Sequence, residues 1–241
     1  MINNNITKIL DYINKNTSFQ RYLANQTLSS EYYYNSLTLC VIDAIFSIGV
    51  KYESVKNVID RYCQYFGIQK LRQNVNIYPS TQSQEKITDL IDRYEKFGEE
   101  FMRKHVYCNN QRTSTTNGIT KAQAVLEFCR VLNSYNVEYF QDLRNIANNA
   151  DFDEEIKKIP GQKSGISLSY FFMLAGDDQL IKPDRMIIRF LMETTGIEYT
   201  PYDAALIIKE LCQHLSSHYP SMTPRLLDHV IWNYMRNQSN V

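Results

Sequence analysis

The chain has 241 residues, with 26 basic and 26 acidic side chains and no formal net charge. Hydrophobic residues make up 44%, which excludes a disordered chain, and only 8 Gly and 6 Pro argue against a loop-rich or all-β design. The neutral balance excludes a globally basic nucleic-acid binder and leaves room for a local basic face.

Five cysteines, Cys40, Cys63, Cys108, Cys129 and Cys212, are scattered and odd in number. Their spacing forms no CxxC knuckle and suits no iron–sulfur cluster, so they read as reduced, mostly buried thiols of a cytoplasmic protein. The amino terminus, MINNNITKIL, is polar and carries no long apolar run. The most apolar stretch, Leu37 to Val50, is too short to span a bilayer and contains Asp43. These features predict a soluble protein without a membrane partner.

Apolar residues recur with a period close to that of a helix along most of the chain. Ile6, Ile9, Leu10 and Ile13 predict a first amphipathic helix. Leu39, Ile42, Ile45 and Phe46 predict a more buried one ending near Gly49. Val55 through Phe66 form a third, closed by Gly67, and Ile87 through Tyr94 a fourth. Between them Asn74–Gln84 is polar and reads as a loop, as do residues 107–119. A helix starts near Thr120 and runs through Leu132, and short helices follow around Tyr139–Asn148 and Glu154–Ile159. Beyond Pro160-Gly161 come an apolar helix, Ile166–Ala175, and another over Pro183–Glu193. Pro201 opens a helix to Leu215, and Thr223-Pro224 opens the last, through Trp232. No strand shows clear alternation. The pattern predicts an all-α fold of about ten helices, without repeats.

The segment Ile156–Leu191, IKKIPGQKSGISLSYFFMLAGDDQLIKPDRMIIRFL, carries the most information. It reads as a helix, a Pro-Gly hairpin, an apolar helix, a break at Gly176-Asp177-Asp178, and Pro183-Asp184 opening the next helix. This skeleton resembles the helix-hairpin-helix DNA glycosylase superfamily, the fold of endonuclease III and the 3-methyladenine glycosylases. That family carries an L-P-G-x-G hairpin and an aspartate at the head of a later helix; here Asp184 follows Gly165 by 19 residues. Upstream, Gly118-Ile119-Thr120-Lys121-Ala122 looks like a shortened form of the segment that opens the family's middle helix. Leu37–Gly49 looks like the helix leading to its minor-groove wedge loop. The resemblance covers roughly residues 30 to 235 and implies two helical lobes: residues 35–150, and 1–34 with 151–241, the second carrying the hairpin and Asp184.

The resemblance implies double-stranded DNA as partner. Hairpin glycines allow close approach of backbone N–H groups to phosphate, and the following helix adds its positive end. Gly161, Gln162, Lys163, Ser164 and Gly165 would form this anchor, which holds the duplex without reading sequence. Asp184 would stabilise the cationic sugar, or activate water, as an extruded base departs; seen alone, it is an N-cap. Arg112, in a polar loop rich in hydroxyls, and Lys121 are further DNA contacts in this reading. Ile48, Lys51 and Tyr52 belong to the implied wedge loop, with Ile48 or Tyr52 entering a base step; the alternative for Gly49 is a helix C-cap. Tyr32-Tyr33-Tyr34 reads as core packing or as a stacking surface for a base.

The departures from the family are specific. Lys163 replaces the second hairpin glycine, and Gly165 and Ile166 occupy the slots for a Schiff-base lysine, so lyase activity is not expected. The terminal four-cysteine cluster is absent, and Arg185-Met186 stands where Thr-His is commoner. The expected activity is monofunctional removal of a damaged or modified base, with no cofactor beyond a monovalent cation at the hairpin. The alternative is a catalytically inactive DNA- or protein-binding module, one version of which acts in defence against foreign DNA; a third reading is a helical interaction protein. His214 and His218 have metal-compatible spacing but no third ligand, so no metal site is expected. The residues do not fix the target base or oligomeric state.

Overall fold

The computed structural model describes residues 2–24 and 27–238. Among them the regular structure is helical, and extended backbone pairs only in two isolated bridges, Tyr34–Leu71 and Arg112–Thr120. In chain order the α-helices are α1 (Ile2–Lys15), α2 (Thr17–Ala24), α3 (Leu37–Phe46), α4 (Tyr52–Phe66), α5 (Ile87–Phe97) and α6 (Glu99–Phe101). They continue as α7 (Lys121–Ser134), α8 (Ala150–Lys158), α9 (Ile166–Ala175), α10 (Arg185–Thr195), α11 (Pro201–Leu215) and α12 (Pro224–Gln238). The all-α class follows as the apolar period predicts.

Two compact units form, residues 30–175 and residues 1–29 with 176–241. The resemblance implies that residues 151–175 belong to the second lobe. Instead α8 packs on α7 and α9 packs on α3, which draws the hairpin into the larger unit.

In the larger unit α3, LTLCVIDAIF, is buried on every side. A helix apolar all round needs neighbours all round. It receives α4, α7 and α9, the last (ISLSYFFMLA) also apolar on most faces. Two carboxylates inside this unit are held by hydrogen bonds, as burial of charge demands. Asp43 accepts from Tyr34 Oη at 2.7 Å and Ser47 Oγ at 2.7 Å. Glu85 accepts from Thr38 Oγ1 at 2.6 Å and Tyr62 Oη at 2.7 Å, and pairs with Arg93. Burial pushes the Glu85 carboxyl above its ordinary pKa despite Arg93.

The smaller unit has its own core, built from Ile6, Ile9 and Ile13 of α1, Phe190 and Leu191 of α10, Leu211 of α11, and Leu227, Ile231 and Tyr234 of α12. Phe19 of α2 stacks on Phe190 with ring centroids 5.3 Å apart.

Several boundaries differ from expectation. The helix expected over Tyr139–Asn148 is a 3-10 turn, Phe140–Asn145. Helix α8 starts earlier, at Ala150, because Asn149 caps it by accepting from Asp151 N and Phe152 N. Helix α10 starts after Pro183, with Asp184 as its cap. Helices α2 and α6, and the π-helical turn Met102–Val106, were not anticipated. No helix among the described residues is long and apolar enough to cross a membrane.

Candidate nucleic-acid interface

The hairpin between α8 and α9 is two successive turns. Gln162 N donates to Ile159 O at 2.9 Å, and Gly165 N donates to Gln162 O at 2.9 Å. Gly161 has φ +90° and Gly165 φ +71°, values that favour glycine. A Cβ on Gly161 would lie 2.4 Å from Thr113 Cβ. Thr113 Oγ1 also donates to Pro160 O at 2.8 Å. The hairpin is thus pressed against the polar loop of residues 107–119, and Gly161 is required by that contact.

The loop is ordered by its own bonds. Thr113 N donates to Ile119 O at 2.9 Å, Lys121 N to Gln111 O at 2.9 Å, and Arg112 Nη2 to Gly118 O. A Cβ on Gly118 would fall 2.3 Å from Ser114 N, so the loop closes tightly on itself.

Lys121 joins this loop to the segment after α3. Its ammonium donates to Phe46 O at 2.9 Å, Ile48 O at 2.7 Å and Gln111 Oε1 at 3.0 Å. All three N–H donors are satisfied, and the charge sits at the carbonyl end of α3, where a cation is favoured. One bonded chain therefore runs from residues 46–48, through Lys121 and the 107–119 loop, to Pro160 and Gly161. Three segments distant in sequence are neighbours within the larger unit.

The structure corrects several individual assignments. Lys121 is 1% exposed and tethers the loops, so it does not reach a phosphate. Gln162 is also 1% exposed, and both ends of its amide lack a hydrogen-bond partner, so it faces inward. Tyr52 is half-buried; its ring stacks on Tyr32 with centroids 5.9 Å apart and its hydroxyl bonds Tyr34. That packing removes it as a wedge. Burial and Asp43 push its phenol pKa up. Tyr34 lies in the core.

Ile48 is half-buried, and Lys51, Arg112, Lys163 and Ser164 are exposed. The ammonium groups of Lys51 and Lys163 pair with no described residue. Gly49 has φ +65° and open space where a Cβ would stand. It breaks the chain after α3, whose own cap is Ser47.

Asp184 stands in the smaller unit. Its Oδ1 accepts from Met186 N at 2.8 Å and Ile187 N at 3.4 Å, the geometry of an N-cap. Its second oxygen makes no hydrogen bond to a described residue.

The sequence offers the neighbour of Asp184, Asp228 beside His229, only as a packing element between helices. Asp228 on α12 is 7% exposed and accepts the Lys182 backbone N–H, two residues before Asp184. Its Oδ1 has no hydrogen-bond partner. Burial first, and then the charge of Asp184, push the Asp228 carboxyl well above the ordinary carboxylate range. Three residues earlier, buried Arg225 donates its backbone N–H to Asp178 O at 3.1 Å and pairs with the Asp178 side chain at 3.3 Å. The first turns of α12 thus hold the 178–184 segment at two points. The available signal was an acid beside the apolar stripe Leu227, Val230, Ile231 and Tyr234.

Among the described residues no group of three His, Cys, Asp or Glu side chains could hold a metal. The cysteines are free; Cys108 is exposed and the other four are buried.

Residues 12–236 match the family described as "Domain of unknown function (DUF8548)". The chain belongs to this family. The DUF8548 match takes in the hairpin, the polar loop, Asp184 and Asp228 alike. No curated protein and no solved structure matches the chain.

Proposed function

We propose that this DUF8548 protein binds double-stranded DNA and removes a damaged or modified base by hydrolysing its N-glycosidic bond. The observation that carries the reading is the bonded assembly of hairpin, polar loop and post-α3 segment. It holds the exposed cations Lys51, Arg112 and Lys163 on segments tied to one another. Such cations supply sequence-independent affinity for phosphate. Asp184 supports the chemical half of the reading, because capping occupies one oxygen and leaves the other available.

In the proposed reaction the bond between C1′ and the base breaks and the base leaves with the bonding electrons. The Asp184 carboxylate stabilises the cationic sugar and accepts a proton from the water that adds to C1′. The chemical step requires no cofactor. A monovalent cation at the hairpin would use second lone pairs, since Ile159 O, Pro160 O and Gln162 O each already accept a hydrogen bond.

The test is a panel of duplexes carrying uracil, alkylated, oxidised and hypermodified bases, with abasic sites revealed by hot alkali. Cleavage that vanishes in Asp184→Asn is expected. Lys163→Ala should weaken binding of all duplexes alike and reduce its salt slope by about 1. Salt-sensitive binding without cleavage would leave a DNA-binding module; absence of both would end the DNA reading.

A further inference from the structure

The smaller unit contains a cavity of about 490 Å³ between α2 and α12. Ser18, Arg21 and Tyr22 line it from α2, and His229, Val230 and Asn233 from α12, with Thr27 at its edge. The spacing 18, 21, 22 places one face of α2 on the cavity, and 229, 230, 233 does the same for α12. Among the described residues no carboxylate lines it. The Arg21 guanidinium is exposed and bonds no described residue. Ser18 lies in the first turn of α2. Asn233 Nδ2 and His229 Nε2 are 2.8 Å apart, which orients both polar groups of the α12 wall. Burial first, and then Arg225, lower the His229 pKa.

We infer that this cavity binds a phosphoryl group carried on an organic moiety of about nucleoside size. An arginine fork with no acceptor among the described residues, next to hydroxyls on Ser18 and Thr27, suits a tetrahedral oxyanion that accepts from several directions. The tyrosine ring and Val230 supply apolar wall for the organic part, and the volume lies within the range of small-molecule sites. The site lies apart from Asp184's cap and from the hairpin in its residues, and does not depend on the glycosylase reading.

Binding is read by isothermal titration of the full chain with inorganic phosphate, a nucleoside 5′-monophosphate, the unphosphorylated nucleoside, and single strands with and without a 5′-phosphate. Saturable binding of the monophosphate, and none of the nucleoside, is expected. Arg21→Ala should weaken it about 10-fold or more, the value of a charge-assisted hydrogen bond. Ser18→Glu, which suits a first helical turn and so keeps the fold, should abolish it by repulsion. Preference for the 5′-phosphorylated strand over the mononucleotide would assign the group to a strand end; the reverse assigns it to a free metabolite. Absence of phosphate-dependent binding, or binding unchanged in both variants, overturns the inference.

Discussion

Asp228→Asn tests the electrostatics around Asp184 without needing any activity. In the folded chain burial and the neighbouring Asp184 keep a proton on Asp228 above the pH at which the unfolded chain, with its ordinary value of 3.8, releases it. As pH rises through that value the unfolded state loses the proton and the native state keeps it. The native state then binds more protons, so stability falls with rising pH until the folded-state pKa is reached. A difference of one proton is worth about 1.4 kcal/mol per pH unit. Asparagine has no proton to lose and retains an oxygen to accept the Lys182 N–H. Its unpaired amide N–H adds a cost that is constant with pH. The stability of the variant minus that of the wild type should therefore grow by about 1.4 kcal/mol per pH unit within the window. Each kcal/mol corresponds to roughly 2–4 °C in melting temperature for a chain of this size. The chain's single tryptophan, Trp232, lies one turn from Asp228 on α12, so its fluorescence in urea reports unfolding of the smaller unit. His229, whose shift has the opposite sign, is present in both proteins and cancels. Parallel stability curves across the pH series would refute the buried-carboxyl argument.

Asp184→Ala should destabilise by about 0.5–2 kcal/mol through loss of the α10 cap, while Asp184→Asn keeps most of that stability; paired urea titrations measure the difference. Gly161→Ala forces a Cβ to 2.4 Å from Thr113 Cβ at φ +90°, and should cost about 1–3 kcal/mol in thermal unfolding. Adding Thr113→Gly should recover the steric part alone, which a double-mutant cycle isolates. Lys121→Met orphans the buried carbonyl of Phe46, at about 1–3 kcal/mol for a buried acceptor left unpaired, and releases the part-buried carbonyl of Ile48. Hydrogen exchange should then quicken at residues 47–51 before it quickens in α3.

The helices legible in the sequence were those whose burial is written as a period or as an unbroken apolar run. Helix α4 shows both an apolar stripe and its Gly67 stop at φ +65°, and α3 and α9 are apolar enough to mark the centre of their unit. Helix α2 was missed because eight residues with two buried side chains, Phe19 and Leu23, make too short a repeat. The 3-10 turn at 140–145 was read as a helix because its stripe, around Phe140 and Ile146, is real while its backbone is tighter. At the candidate site, the hairpin and the cap were visible as glycine, proline and aspartate. What sequence could not supply was direction. Lys121 and Gln162 are polar and flank motif positions, yet both point inward. Only the packing of α7 against α3, and of the hairpin against Thr113, decides that.

Capping at Asp184 leaves room for the proposed chemistry, because the two draw on different atoms. The cap uses Oδ1 and two backbone N–H groups, fixing the plane of the carboxyl. A carboxyl fixed in this way is what the proposed reaction asks for beside a developing sugar cation. A charged Asp228 would repel the Asp184 carboxyl, and burial counters this by raising the Asp228 pKa. The Lys182 N–H bond then lets the same residue hold the turn that presents Asp184. A carboxyl that positions the turn and a carboxylate that caps the helix are thus parts of one arrangement. Asp228→Asn, which keeps an oxygen for the Lys182 N–H, should spare that arrangement, whereas Asp228→Leu, which cannot accept it, should loosen Asp184 and the first turn of α10 together.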